Sequence, residues 1–223
     1  MVNKKITSID DLSVKDINLI SNQAIKFKNS KKNQIAKNPK NIFNLFLEPS
    51  TRTTVSFELA AKKLGHNSIN INFDKSSLSK GETFRDTMNT LISMKPDALI
   101  IRDKTNFSPQ NISKDLNIPV INAGDGTNEH PTQALLDFCV IKSIYKNKKI
   151  SIGLCGDIKH SRVAHSNIKL FTKLGYKLHL IAPSYFIDKT EVNKINPNIT
   201  FHKNLKRIND IDVLMMLRVQ KER

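Results

Sequence analysis

The stretch Glu48-Pro49-Ser50-Thr51-Arg52-Thr53 gathers three hydroxyls and a guanidinium within four consecutive positions. An apolar run precedes it (Ile42, Phe43, Leu45, Phe46, Leu47) and reads as a buried strand. Val55, Phe57, Leu59, Ala60, Ala61 and Leu64 follow, and predict the buried side of a helix closed by Gly65. The hydroxyls and the arginine therefore fall at a helix N-terminus, where backbone N–H groups and the positive end of the helix dipole attract anions. Arg52 adds a planar fork matched to phosphate oxygens. The plainer reading makes Ser50 or Thr51 a simple N-cap. The polar groups found downstream favour the anion site.

Four further stretches carry chemistry. Ser76-Ser77-Leu78-Ser79-Lys80-Gly81-Glu82 is a polar loop in which Lys80 is a mobile positive charge, beside the alternative of a solvated loop lysine. Asn128-Glu129-His130-Pro131-Thr132-Gln133 starts a helix with proline at its first position. His130 is extended ahead of Pro131 and can offer an imidazole N–H, and Gln133 in the same first turn can read an amide. Gly156-Asp157-Ile158-Lys159-His160-Ser161-Arg162 follows a strand, with Arg162 opening the next helix. Its glycines lack the G-x-G-x-x-G spacing of a dinucleotide site, so no such cofactor is expected. Leu217-Arg218-Val219-Gln220-Lys221-Glu222-Arg223 follows the last strand.

The elements that must hold these groups alternate. A helix is predicted over 13–27, and strands at 42–47, 68–72, 98–102, 120–123, 150–153, 177–182, 200–202 and 213–217, with helices between most of them. Such alternation predicts an α/β fold of parallel sheets flanked by helices, with ligands at the carboxyl ends of the strands. The helix from Pro131 presents Ala134, Phe138, Ile141 and Tyr145 at helical spacing, and a charged tract follows it. A boundary near Lys146 gives domains 1–146 and 147–223.

Net charge is +16, but 29 lysines against seven arginines are scattered, with abundant Asn and Ile, and this points to base composition of the gene. No nucleic-acid module or basic stripe with interleaved aromatics appears, so nucleic acid is not an expected partner. A positive field still steers anionic substrates. Arg52, Arg102, Arg162 and Arg218 each fall near a strand end or a helix start, where planar anion contacts are useful. No apolar run is long enough to cross a bilayer, and the polar first residues do not read as a signal peptide. Cys139 and Cys155 lack metal spacing and are expected to be small buried thiols in a reducing cytoplasm.

Together these stretches resemble the aspartate/ornithine carbamoyltransferase family. Ser-Thr-Arg-Thr and His-Pro-x-Gln mark the superfamily; Ser-Ser-x-x-Lys-Gly-Glu and Leu-Arg-Val-Gln-Lys-Glu-Arg resemble its aspartate branch. The resemblance runs from the first helix to the last residue. It implies transfer of the carbamoyl group of carbamoyl phosphate to L-aspartate, early in pyrimidine biosynthesis, without metal, cofactor or covalent nucleophile. Ser50, Thr51, Arg52 and Thr53 would hold the phosphate. Thr53, Arg102 and His130 would meet the carbamoyl oxygen, where negative charge grows, and Gln133 the carbamoyl NH₂. Arg162 and Arg218, with Gln220, would clamp the aspartate carboxylates. Glu222 would aim Arg218, and Glu48 would bridge to Arg162 or Arg223. Ser76 and Lys80 would reach a neighbour's site, which implies a homotrimer; regulatory or dihydroorotase chains are further partners known in the family. Family members continue past the position of Arg223, so the resemblance also implies a shortened chain that is poorly soluble or weakly active by itself. Two alternatives stand beside this reading: an ornithine-type or other amino-acid acceptor, and a catalytically silent binding domain.

Overall fold

The computed structural model describes residues 5–30, 35–71, 73, 83–146, 148–206 and 209–220. The chain divides into two compact units, Met1–Thr7 with Lys28–Gly126, and Ser8–Phe27 with Thr127–Arg223.

The first unit is built on a parallel sheet of β1 (Lys5–Ile6), β2 (Asn41–Phe46), β3 (Asn67–Ile71), β4 (Ala98–Asp103) and β5 (Val120–Asp125), ordered β1-β5-β4-β2-β3. Helices α2 (Thr51–Lys63), α3 (Phe84–Ser93) and α4 (Ser108–Ser113) connect the strands. The central strand β4 is buried along its whole length, as its apolar run Ala98–Ile101 requires. Leu45, Leu99, Ile101 and Val120 are fully buried and pack with Phe43, Phe73, Met88 and Leu91. Each such side chain contributes about 1.5–3 kcal/mol of hydrophobic stabilisation. The short strand β1, which the sequence did not announce, is held by pairing of Lys5 and Ile6 with Val120 and Ile121.

Helix α2 corrects one expectation. Of its apolar residues only Ala61 is buried, and Val55 and Leu59 stand 46% and 50% exposed. Phe57, Ala61 and Leu64, spaced by four and three, form the partly covered stripe, while Val55 and Leu59 lie on a second line four residues apart. One sheet face covers one stripe of a helix, so the second line stays outside it.

The second unit contains α1 (Val14–Asn29), α5 (Pro131–Tyr145), α6 (Arg162–Lys173), α7 (Lys189–Ile195) and a parallel sheet of β6 (Ser151–Cys155), β7 (Lys177–Ile181), β8 (Thr200–His202) and β9 (Val213–Met216), ordered β8-β7-β6-β9. Phe171, Ile152, Leu154, Ile168, Leu170 and Leu180 form its buried interior. The sequence suggests a boundary at 146, whereas packing groups α5 with this unit. Asn167 on α6 donates to Asp137 on α5, and Phe138 meets Tyr176 edge-on. The two cysteines are half-buried rather than fully enclosed, and burial still pushes both thiols above the ordinary range. No helix among the described residues is long and apolar enough to cross a membrane.

Candidate functional site

Both sheets reverse their strand order once. In the first, β3 lies on one side of β2 and β4 on the other; in the second, β7 lies on one side of β6 and β9 on the other. At such reversals the connections leave in opposite directions, and a crevice opens beyond the carboxyl ends of the strands. Several of the candidate residues lie at these two points.

At the first reversal, Phe46 pairs with Arg102, and Leu47 N donates to Arg102 O at 2.9 Å. The loop that enters α2 therefore starts directly beside Arg102. Ser50 has extended backbone at the N-cap position, but its side chain makes no cap bond. Its hydroxyl instead donates to Thr53 Oγ1 at 2.8 Å, which joins two of the predicted phosphate ligands. The simple N-cap reading of Ser50 is thus not what the side chain does. Thr51 and Arg52, the first residues of α2, are exposed. Arg102 is 8% exposed, yet charged. Its Nη1 donates to Ala123 O at 3.1 Å and its Nη2 meets Glu48 Oε2 at 3.1 Å. Glu48 pairs with Arg102, the neighbour that strand pairing delivers; Arg223 lies outside the described residues. A buried guanidinium held on two sides is a rigid donor.

At the second reversal, Leu217 N donates to Cys155 O at 2.7 Å, so Arg218 follows β9 just beside the loop leaving β6. That loop requires Gly156: its φ is +123°, and a Cβ there would lie 2.7 Å from Leu217 O. Asp157, fully buried, accepts from His160 Nδ1 at 2.9 Å through one oxygen and from Gln220 N at 3.1 Å through the other. It thereby ties the loop ahead of α6 to the segment that carries Arg218 and Gln220. Ser161 caps α6 by accepting from Ala164 N at 3.2 Å, and Arg162 is the first helical residue, 7% exposed. Arg218 is exposed.

His130 and Gln133 stand at the start of α5. His130 N donates to Ser166 Oγ at 2.8 Å, and Ser166 Oγ donates to Glu129 Oε2 at 3.2 Å. Thr132 Oγ1 lies 3.2 Å from His130 Nδ1. Gln133 Nε2 donates to Asp137 Oδ1 at 2.9 Å. Ser76, Lys80 and Glu222 lie outside the described residues.

The supporting residues Asp157, Glu129, Ser166 and Asp137 received no role from the sequence. For Asp137 a signal existed: it stands four residues after Gln133 on one helix face. For Glu129 and Ser166 the partners are distant in the chain, and so is Gln220, which donates to Asp157.

His165 underlies the same region. Its Nδ1 lies 2.7 Å from Thr127 O, and burial holds its imidazole below the ordinary histidine pKa despite that bond. The native state therefore prefers the neutral ring. Its contribution to stability is complete above the unfolded histidine value of about 6.5 and is lost as pH falls toward the lowered native value. His179, also lowered by burial, acts with the same sign. Urea denaturation should show the protein losing stability between pH 7.5 and pH 5.5, and His165→Gln should flatten that loss. An identical slope in the variant would remove His165 as a cause.

Residues 4–143 match the family described as aspartate/ornithine carbamoyltransferase, carbamoyl-P binding domain. The chain is 45% identical over 227 residues to the aspartate carbamoyltransferase catalytic subunit of Pelagibacter ubique, covering 99% of this chain and 71% of that protein. It is 44% identical over 225 residues to that of Wolbachia pipientis subsp. Culex pipiens, covering 99% and 74%. Among solved structures, aspartate transcarbamoylase from Trypanosoma cruzi in complex with aspartate and phosphate matches with TM-score 0.85 at 31% identity, covering 99% of this chain and 77% of that one. The same enzyme in complex with carbamoyl phosphate matches with TM-score 0.86 at 31% identity, covering 99% and 73%.

Proposed function

Because the chain belongs to the aspartate/ornithine carbamoyltransferase family, on its aspartate branch, we propose a division of labour among its residues for the reaction of that branch. The function is transfer of the carbamoyl group of carbamoyl phosphate to L-aspartate, giving N-carbamoyl-L-aspartate and phosphate, a step of pyrimidine biosynthesis. Ser50, Thr51, Arg52 and Thr53 bind the phosphate at the start of α2. Thr53, Arg102 and His130 stabilise the carbamoyl oxygen, and Gln133 reads the carbamoyl NH₂. Arg162, Arg218 and Gln220 receive the aspartate carboxylates, with Lys80.

The amine of aspartate attacks the carbamoyl carbon. The bond from that carbon to the phosphate ester oxygen breaks, and the departing phosphate takes the amine proton. Phosphate is a good leaving group, so orientation and charge stabilisation can carry the step. The single observation behind this reading is the position of Arg102. It is a buried cation fixed by Glu48 and Ala123 O beside the loop that carries Ser50 to Thr53.

An ornithine-type acceptor would carry a cationic side chain. Arg218, tied through Gln220 and Asp157 to the loop that leads to Arg162, favours a second carboxylate instead. We further assign the protein to the cytoplasm as a homotrimer, with Ser76 and Lys80 serving a neighbouring copy. The exposed line of Val55 and Leu59 is suited to burial between subunits and supports that assembly.

Phosphate release from carbamoyl phosphate should be stimulated by L-aspartate and not by L-ornithine, and the same preparation should sediment as three copies. Stimulation by ornithine alone would move the chain to the other branch. A sole monomeric species would remove the trimer.

A further inference from the structure

We propose that Asp137 is a positioning residue that sets which end of the Gln133 amide serves the ligand, and so gives the protein its preference for a carbamoyl over an acetyl phosphate. This rests on the role assigned above to Gln133. An amide side chain can present either a donor or an acceptor, and nothing in the glutamine itself decides between them. Here Gln133 Nε2 donates to Asp137 Oδ1 at 2.9 Å, one helical turn on along α5. The other carboxylate oxygen, Oδ2, accepts from Asn167 Nδ2 at 2.9 Å, and Asn167 is fully buried on α6.

The carboxylate is thus gripped from a second helix and cannot turn freely. An ionised carboxylate only accepts, so the nitrogen end of the Gln133 amide faces it and gives it one N–H. Oε1, on the same carbon, is then the end presented away from Asp137, and it can only accept. A carbamoyl group supplies N–H donors to such an acceptor. An acetyl group of nearly the same shape supplies a methyl and leaves the acceptor unmatched. Burial raises the Asp137 carboxyl pKa, while Asn167 and Gln133 oppose that rise by donating to the charged form. The two amide bonds therefore favour the acceptor-only state that the orientation needs.

The test compares binding of carbamoyl phosphate, acetyl phosphate and inorganic phosphate by calorimetry, in the parent chain and in Asp137→Asn. Asparagine keeps the shape but can donate, so it lets the Gln133 amide turn over. The parent should prefer carbamoyl to acetyl phosphate by about tenfold, the scale of one matched hydrogen bond against an unmatched acceptor. In Asp137→Asn that ratio should fall toward one, while affinities for acetyl phosphate and inorganic phosphate stay within about twofold. Gln133→Met should show the same loss of preference at a half-buried position, and the double variant should show no further loss. This second route reads the idea even if Asp137→Asn folds poorly. An unchanged ratio in either single variant overturns the proposal. So does an equal weakening of all three ligands in Asp137→Asn, which marks a purely structural aspartate. A parent chain that binds carbamoyl and acetyl phosphate equally removes the Gln133 assignment and this inference with it. Binding of none of the three overturns the functional reading itself.

Discussion

Arg102→Ala should lower kcat for carbamoyl transfer by about 10²–10³-fold, the scale for losing one fixed donor to a developing oxyanion. Arg102 lies on the central strand β4, 8% exposed, with one nitrogen on Ala123 O and another on Glu48. Those contacts hold the guanidinium in place before any ligand arrives, so little reorganisation accompanies the growth of charge on the carbamoyl oxygen. The same contacts explain why Arg102→Lys should rescue little. A single ammonium cannot satisfy Ala123 O, Glu48 and a ligand from one planar fork. The measurement is initial-rate phosphate release with L-aspartate, alongside a thermal melt to confirm folding. A folded Arg102→Ala chain with kcat within about threefold of the parent would take Arg102 out of the transition state.

Glu129→Ala should be the most destabilising single change outside the apolar core, by about 3–5 kcal/mol, as for one partner removed from a buried ion pair. Glu129 is 1% exposed. Its carboxylate accepts from Ser8 Oγ at 2.5 Å, Ile9 N at 3.0 Å, Ser166 Oγ at 3.2 Å and Lys169 Nζ at 2.8 Å. Burial works against the Lys169 ammonium, yet Glu129 and Asp10 together carry its pKa above the ordinary lysine value. Removing Glu129 strands donors from two parts of the unit at once, the segment of Ser8 and Ile9 and the helix α6. It also frees Ser166, whose oxygen receives His130 N. Loss of stability in urea should therefore come with loss of kcat/KM, whereas Lys169→Met should affect stability more than turnover. A Glu129→Ala chain as stable as the parent would mean that water replaces the carboxylate without penalty.

Local elements were largely legible. The run Ile42–Leu47 predicted a strand found at Asn41–Phe46, and Thr200–His202 matches its prediction in both bounds. Pro131 opens α5 and Arg162 opens α6 as their local residues require. These features depend on periodicity, turn residues and caps a few positions apart. The buried side of α2 was not legible, because Val55 and Leu59 are as apolar as Phe57 and differ only in whether the sheet reaches them. Strand β1 was missed for a related reason: two residues carry no period, and only Val120 and Ile121 make them a strand.

What the sequence determined by itself was the kind of chemistry: hydroxyls and arginine at a helix start, His-Pro-x-Gln at another, and an arginine after the last strand. Residue type and short spacing suffice for that. Apart from local pairs such as Gln133 with Asp137, which groups support one another was decided by tertiary structure. β4 falls beside β2 and β9 beside β6, so Arg102 meets Glu48, and Asp157 receives Gln220 N from 63 positions away. Strand order follows from how crossover helices pack over a whole sheet, and no local pattern of residues encodes that neighbourhood.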